Sequence, residues 1–221
     1  MAQSRNENRI LIVIGLLIAL GLPFSHLSSW GKAHSGLGPL WGGEVFWLAL
    51  FLLIVVYVLV VERKSLSSIG FRSVTPMAIP IAIAAAFVIA AGDVVISSVE
   101  AVFHLAVKTQ INALFLTPLW FRFYLAARAA IVEETAFRGY GFERLTDLTG
   151  SKWLAALVTF ALFTAAHYPG GGLALALVAA WGGLVLTLLY LWRRNIWTTI
   201  IAHWLTDLVG LVLVPAMGLH H

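Results

Sequence analysis

The chain has 221 residues, of which 61% are hydrophobic and only 11% are charged. A soluble domain carries roughly 25% charged residues, and the mean hydropathy of +0.93 also indicates a protein whose main solvent is lipid. Backbone groups find no water partner inside a bilayer, so open sheets and soluble cores are excluded. The length suits a single integral membrane domain covering residues 1–221.

Cysteine is absent, which excludes disulfides, thiolate nucleophiles and thiolate metal sites. The formal net charge is +4, but the basic residues are scattered in short loops between apolar runs. That pattern is typical of membrane topology signals rather than of a phosphate-binding face. We therefore expect a lipid bilayer as surroundings and no nucleic acid as partner.

Apolar runs that suit helices crossing about 30 Å of hydrocarbon follow one another along the chain. The runs cover residues 10–24, 44–61, 76–97, 118–138, 153–167, 173–192 and 196–215. The first run resembles a signal-peptide core, but no small-residue cleavage site follows it, so we interpret it as a retained span. Residues 99–117 form either a surface-lying helix or a further span. The sequence thus predicts an all-α, polytopic transmembrane helical bundle with seven or eight spans.

The orientation of the bundle follows from the positions of lysine and arginine, because short cytoplasmic loops carry an excess of both. With seven spans, four basic groups fall on the same side of the membrane. These groups are Arg5 with Arg9, Arg63 and Lys64 with Arg72, Arg138 and Arg144 with Lys152, and Arg193 with Arg194. We therefore predict a cytoplasmic amino terminus.

The stretch AAIVEETAFRGYGFERL, residues 129–145, ends an apolar run with Glu133, Glu134 and Arg138. A charged side chain at the bilayer centre is unfavourable by about 2.5–3.5 kcal/mol, so ionisable residues within spans are rare and usually functional. The alternative is that both acids lie at the interface and pair with Arg128 and Arg138 to end the span.

Two further polar motifs lie in later apolar runs. FTAAH places His167 one helical turn after Phe163, and HWLTD places His203 and Asp207 on one face of the last span. A lone histidine in a helix is most often a hydrogen-bonded core residue. Two histidines and an aspartate in apolar surroundings are better explained by a shared polar chamber that also contains Glu133. Asp93, by contrast, is interpreted as a marker of the interfacial end of the third span.

These motifs follow one another in a fixed order along the chain. They are Glu133 and Glu134 with Arg138, then Phe163 with His167, then His203 with Asp207. In this order they resemble the three motifs of the CPBP family, the CAAX protease and bacteriocin-processing proteins, also called the Abi family. Its eukaryotic relatives are the type II CAAX prenyl endopeptidases. The resemblance covers a motif-bearing core of about residues 118–215, whereas residues 1 to about 110 match only as generic spans.

The resemblance implies an intramembrane endopeptidase of the glutamic type. Glu133 would be the general base that activates water, and His167 would hold that water or assist the proton transfers. His203 and Asp207 would face the oxyanion of the tetrahedral intermediate. A second set of residues would support the site or bind the substrate: Glu134, Arg138 and Phe163.

Asp207 departs from the asparagine that many members of this family have at this position. An aspartate must be protonated to donate a hydrogen bond, as happens when a carboxyl group lies in an apolar site. Otherwise Asp207 is an anion that orients His203. We favour the neutral donor, because an apolar site with neighbouring acids disfavours the anion.

Three functions remain open at this point. The first is a protease that needs no metal or other cofactor; the second is a zinc protease with Glu133, His167 and His203 as ligands, although no H-E-x-x-H motif is present. The third is a non-catalytic protein of the same fold, such as a bacteriocin-immunity factor or a scaffold. The expected partner is a peptide or protein substrate, prenylated or membrane-associated, and the expected location is a bacterial inner membrane. The oligomeric state cannot be read from the sequence.

Overall fold

The computed structural model describes residues 2–34, 36–105 and 114–213. Within these ranges the chain is helical and contains no strand, which confirms the all-α prediction. The α-helices are α1 (Ala2–Leu16), α2 (Leu27–His34), α3 (Gly38–Trp41), α4 (Glu44–Val56), α5 (Ala78–Val102), α6 (Leu119–Glu133), α7 (Phe142–Thr149), α8 (Lys152–Arg193) and α9 (Ile196–Leu208).

Wider, π-helical turns extend several of these helices. Three are five residues long and follow α1, α4 and α9, namely Leu17–Gly21, Tyr57–Val61 and Val209–Leu213. The longest, Glu134–Gly141, has eight residues and joins α6 to α7, so that the chain stays helical from Leu119 to Thr149.

Five of the described helices are long and apolar enough to cross a membrane. They cover Asn6–Phe24, Glu44–Val61, Ala78–Val102, Lys152–Arg193 and Ile196–Leu213. Large apolar side chains on them are exposed, such as Phe87 at 75% and Val102 at 73%. Exposed apolar surface of this kind suits contact with lipid, and the chain is an integral membrane protein.

The predicted runs 153–167 and 173–192 lie in the two helical segments of α8, which meet at Gly172, where the backbone angles of φ 71° and ψ −151° are non-helical and favour glycine. The observed helices differ from the other predicted spans in two places. The run 118–138 forms α6 and part of the wider turn after it, and it is not among the five. The third run extends to Val102. The undecided segment 99–117 lies partly, and the predicted end at Pro215 wholly, outside the described residues.

The described residues form two compact units, each built from two pieces of the chain. One unit comprises the residues up to 72 together with 132–159, and the other comprises 73–131 together with 160 onward. Glu133, Glu134 and Arg138 belong to the first unit, whereas Phe163, His167, His203 and Asp207 belong to the second.

In the first unit, close approach of α1 to the wide turn depends on a glycine. A Cβ atom added at Gly15 would lie only 1.7 Å from the hydroxyl of Tyr140. The ring of Tyr57 lies edge-on to that of Tyr140 at 6.3 Å, and its hydroxyl donates to the carbonyl of Leu11 at 2.8 Å. The bare backbone of Gly15 thus lets two aromatic side chains fill the space beside α1.

In the second unit, a core of small and branched side chains holds α5, α9 and the later half of α8 together. Its buried members are Ala82, Ile89, Leu186, Leu189 and Ala202. Alanines allow helices to pack closely, which is the usual means of helix association in membranes. The amide oxygen of Asn195 accepts a hydrogen bond from the backbone N–H of Trp197 at 3.1 Å and so caps the start of α9.

Candidate active site

The glutamate motif lies on the wide helical turn Glu134–Gly141, which is buried along its whole length. π-helical turns inside α-helices are rare and are frequently found at functional sites. Gly141 lets the turn close, because a Cβ atom there would lie 2.8 Å from the carbonyl oxygen of Ala136 and from a methyl group of Leu20. The sequence predicted the acidic motif but not the helical form on which it lies.

Within this turn Glu134 and Arg138 form an ion pair. Nη1 of Arg138 donates to Oε1 of Glu134 at 2.9 Å, and the two side chains are 1% and 0% exposed. The supporting role of both residues stays a prediction. The interfacial alternative also expected Glu134 to pair with Arg138, as observed, but it expected the span to end there, whereas the helix continues to Thr149. Glu133, the last residue of α6, is partly buried.

A second polar network fastens the same helix to the segment that follows the predicted second span. The guanidinium of Arg144 binds both carboxylate oxygens of Glu62, with Nε–Oε1 at 3.0 Å and Nη2–Oε2 at 2.6 Å, and Nη2 also donates to the hydroxyl of Ser68 at 3.0 Å. Burial alone would lower the pKa of Arg144, but the hydrogen bonds and charge of Glu62 raise it. The sequence presented Arg144 only as a topology signal and gave no indication of its pairing with Glu62.

Tyr140 adds a third group to this network. Its hydroxyl donates to Oε1 of Glu62 at 2.6 Å. Burial raises the pKa of Tyr140, and the hydrogen bond to Glu62 and its negative charge raise it further. Glu62 therefore accepts from two side chains of the motif-bearing helix, Tyr140 and Arg144, and holds that helix in register.

In the second unit Phe163 contacts both predicted catalytic histidines. Its ring centroid lies 4.6 Å from that of His167 and 6.3 Å from that of His203, the second contact being edge-on. Phe163 and His203 are buried, at 3% and 8% exposure. The structure thus brings two distant motifs together around one aromatic ring.

The hydrogen bond of His167 defines the state of its imidazole. Nδ1 lies 2.7 Å from the carbonyl oxygen of Phe163. A carbonyl oxygen only accepts, so Nδ1 carries the proton. In the neutral imidazole Nε2 is then the acceptor, which suits a residue that holds a water molecule or receives a proton.

His203 and Asp207 lie one turn apart on α9. Nε2 of His203 is 3.7 Å from Oδ2 of Asp207, which is longer than a hydrogen bond. The predicted placement of both side chains on one helix face is confirmed.

A cavity of about 120 Å³ opens between α5, α8 and α9, well above the roughly 10–15 Å³ that a single water needs. Its polar and aromatic lining comprises Asp93, Phe163, His167, His203, Thr206 and Asp207. The predicted chamber for the second and third motifs is therefore present in this unit. The inclusion of Glu133 in the same chamber stays a prediction.

Asp93 was misinterpreted from the sequence. It is not the end of a span, because α5 continues to Val102, and it lies on the wall of the cavity. A signal for this placement was present: Asp93 continues the helical spacing of the buried residues Ala82, Ala86 and Ile89. A polar residue in a buried stripe points to the protein interior rather than to the interface.

Among residues 2–34, 36–105 and 114–213, no three His, Asp or Glu side chains are grouped in a way that could hold a metal ion. The zinc alternative with Glu133, His167 and His203 stays a prediction.

Residues 113–209 match the model of a protein family described as type II CAAX prenyl endopeptidase Rce1-like. The match spans all three motifs and supports the CAAX protease family that those motifs indicated. No curated protein and no solved structure is similar enough to the chain to count as a match.

Proposed function

We propose, from the similarity of residues 113–209 to the type II CAAX prenyl endopeptidase family, that the chain is an intramembrane endopeptidase that uses a water activated by Glu133. The observation that carries the proposal is the contact of Phe163 with both His167 and His203 beside a cavity that Asp207 also lines. Two histidines from different helices meet there in an apolar bundle. Ionisable groups gathered in this way are typical of function rather than of packing.

In the proposed reaction Glu133 takes a proton from water, and the resulting hydroxide attacks the carbonyl carbon of the scissile peptide bond. Nε2 of His167 accepts a hydrogen bond from the water and orients it. The carbonyl oxygen becomes an oxyanion, which His203 and Asp207 stabilise by donating to it. The intermediate collapses when the C–N bond breaks and the proton held by Glu133 passes to the leaving nitrogen, which yields a carboxyl group and an amine.

Glu134, Arg138 and Phe163 support this site without taking part in bond formation. The Glu134–Arg138 ion pair fixes the wide turn directly after Glu133. Phe163 orients the two imidazole rings through the contacts that its aromatic ring makes with each of them. We further propose that the substrates are peptides or membrane-associated proteins, prenylated ones included. The protein would lie in a bacterial inner membrane with its amino terminus on the cytoplasmic side.

The test is a peptide-cleavage assay in detergent, run with and without a chelator. The peptide library includes prenylated and unprenylated members. Cleavage by the purified chain that survives the chelator supports the proposal. Cleavage that the chelator abolishes and zinc restores would favour the zinc protease, and a complete lack of cleavage of membrane-associated substrates would favour the non-catalytic alternative.

A further inference from the structure

Asp93 reaches the cavity because two contacts fix the rotation of α5. The indole Nε1 of Trp181 donates to the carbonyl oxygens of Ile89 at 3.1 Å and Val88 at 3.3 Å. The neighbour of Asp93, Gly92, makes room for this indole, because a Cβ atom there would lie 2.0 Å from Nε1. Trp181 and Gly92 together hold Asp93 toward the cavity rather than toward lipid.

One oxygen of the Asp93 carboxyl group makes no hydrogen bond to the part of the fold that the structure describes. This atom, Oδ1, is buried. A buried acceptor without a partner costs free energy, on the order of 1–3 kcal/mol. This cost is offset if another group of the site, or the substrate, donates a hydrogen bond to the carboxyl oxygen.

Asp93 and Asp207 face the same small cavity, one from α5 and the other from α9. Two carboxylates that share a site of low dielectric do not ionise together, because each charge disfavours the other, and such pairs retain one proton between them. Among the described residues, the other ionisable groups that line this cavity are His167 and His203, and Glu100 lies two helical turns further along α5.

We propose that Asp93 is a positioning residue that shares one proton with Asp207, so that Asp207 carries a hydroxyl for the oxyanion. This role explains how an aspartate can serve where a neutral amide donor would otherwise be needed. It rests on the proposed function, since the oxyanion belongs to that reaction. The proton itself is a property of the resting protein and can be observed without a substrate.

The first measurement is therefore the infrared absorption of the C=O group of a protonated carboxylic acid. It is made at neutral pH in a detergent without ester groups. We expect an absorption in the parent that is lost in both Asp93→Asn and Asp207→Asn, because each variant lacks one member of the pair. Glu100→Gln and the control Asp147→Asn, which alters an exposed aspartate paired with Lys64, should keep it. An absorption that survives in Asp93→Asn or in Asp207→Asn, or that is lost only in Glu100→Gln, would overturn the proposal.

The second measurement is peptide hydrolysis by the single and double variants. Asp93→Asn should lower turnover about 100-fold, as the loss of one oxyanion donor does, because an amide at this position stabilises the Asp207 anion. The double variant should have the same turnover as Asp207→Asn alone, since an amide at position 207 donates without the shared proton. A further loss of about 100-fold on adding Asp93→Asn to Asp207→Asn would show that Asp93 does not act through Asp207. If the parent cleaves nothing, the proposed function fails while the infrared result still decides the proton pair.

Discussion

Arg138 donates a 2.9 Å hydrogen bond to Glu134, and both side chains are excluded from solvent inside the wide helical turn that follows Glu133. Removing one partner of a buried ion pair leaves an uncompensated charge and typically costs about 3–5 kcal/mol. The pair therefore couples the stability of this turn to the position of the proposed base.

We expect Arg138→Ala to lower the free energy of unfolding by about 3–5 kcal/mol and to reduce hydrolysis as well. Denaturant unfolding in detergent measures the first effect and the peptide assay the second. The double variant Glu134→Ala with Arg138→Ala is the control, because residues in contact are coupled and its loss should be smaller than the sum of the single losses. An Arg138→Ala protein as stable as the parent would contradict the role of the pair.

Glu133→Gln should abolish hydrolysis while leaving the fold intact, because the amide keeps the volume of the side chain but cannot accept the proton of water. A general base contributes about 10²–10⁴-fold to the rate, and turnover should fall by at least that range. The assay compares this variant with Asp147→Asn, which should remain active. Turnover near the parent level would rule out Glu133 as the base, provided that both variants unfold at the parent temperature.

Phe163→Leu should preserve the fold but weaken catalysis, because leucine fills much of the space and lacks the ring that contacts both histidines. Aromatic contacts contribute about 0.5–1.5 kcal/mol each, which corresponds to a loss of up to about tenfold in turnover per contact. Phe163→Ala should in addition destabilise the protein by about 3–5 kcal/mol through the cavity it leaves. The matched control is Phe160→Leu, on the same helix but outside the cavity lining; an equal loss in the control would argue against an orienting role.

Tyr140 should make the stability of the protein fall at alkaline pH. Burial, followed by the hydrogen bond to Glu62, raises the pKa of Tyr140 in the folded protein, whereas an unfolded tyrosine titrates near about 10. The stabilisation is therefore complete below about pH 10 and declines above it, where the unfolded chain releases a proton that the folded one retains.

The measurement is the unfolding temperature from neutral pH to pH values above this threshold, for the parent and for Tyr140→Phe. The variant should be less stable at neutral pH by about 1.5–3 kcal/mol, the usual value of a hydrogen bond to a charged group. Its stability should also decline less steeply above pH 10. Parallel curves for the two proteins would show that Tyr140 does not titrate as described.

Composition and residue spacing were enough to predict the membrane surroundings of the protein, its helical class and the residue pairs within its motifs. Composition excluded a soluble fold, and the apolar run 44–61 coincides with the helical range Glu44–Val61. Spacing of four residues placed Glu134 with Arg138, and His203 with Asp207, on common helix faces, and both pairs are present. These properties are local, because helical periodicity alone decides which residues three or four positions apart share a face.

The helix faces that contact one another could be identified only from the tertiary structure. The contact of Phe163 with His203, the cavity position of Asp93 and the pairing of Arg144 with Glu62 join residues that are far apart in the chain. In a bilayer, hydrophobicity does not distinguish a face that contacts lipid from one that contacts another helix. The rotation of each helix is therefore set by close packing at small residues such as Gly15 and Gly92, which becomes visible only when the neighbouring helix is in place.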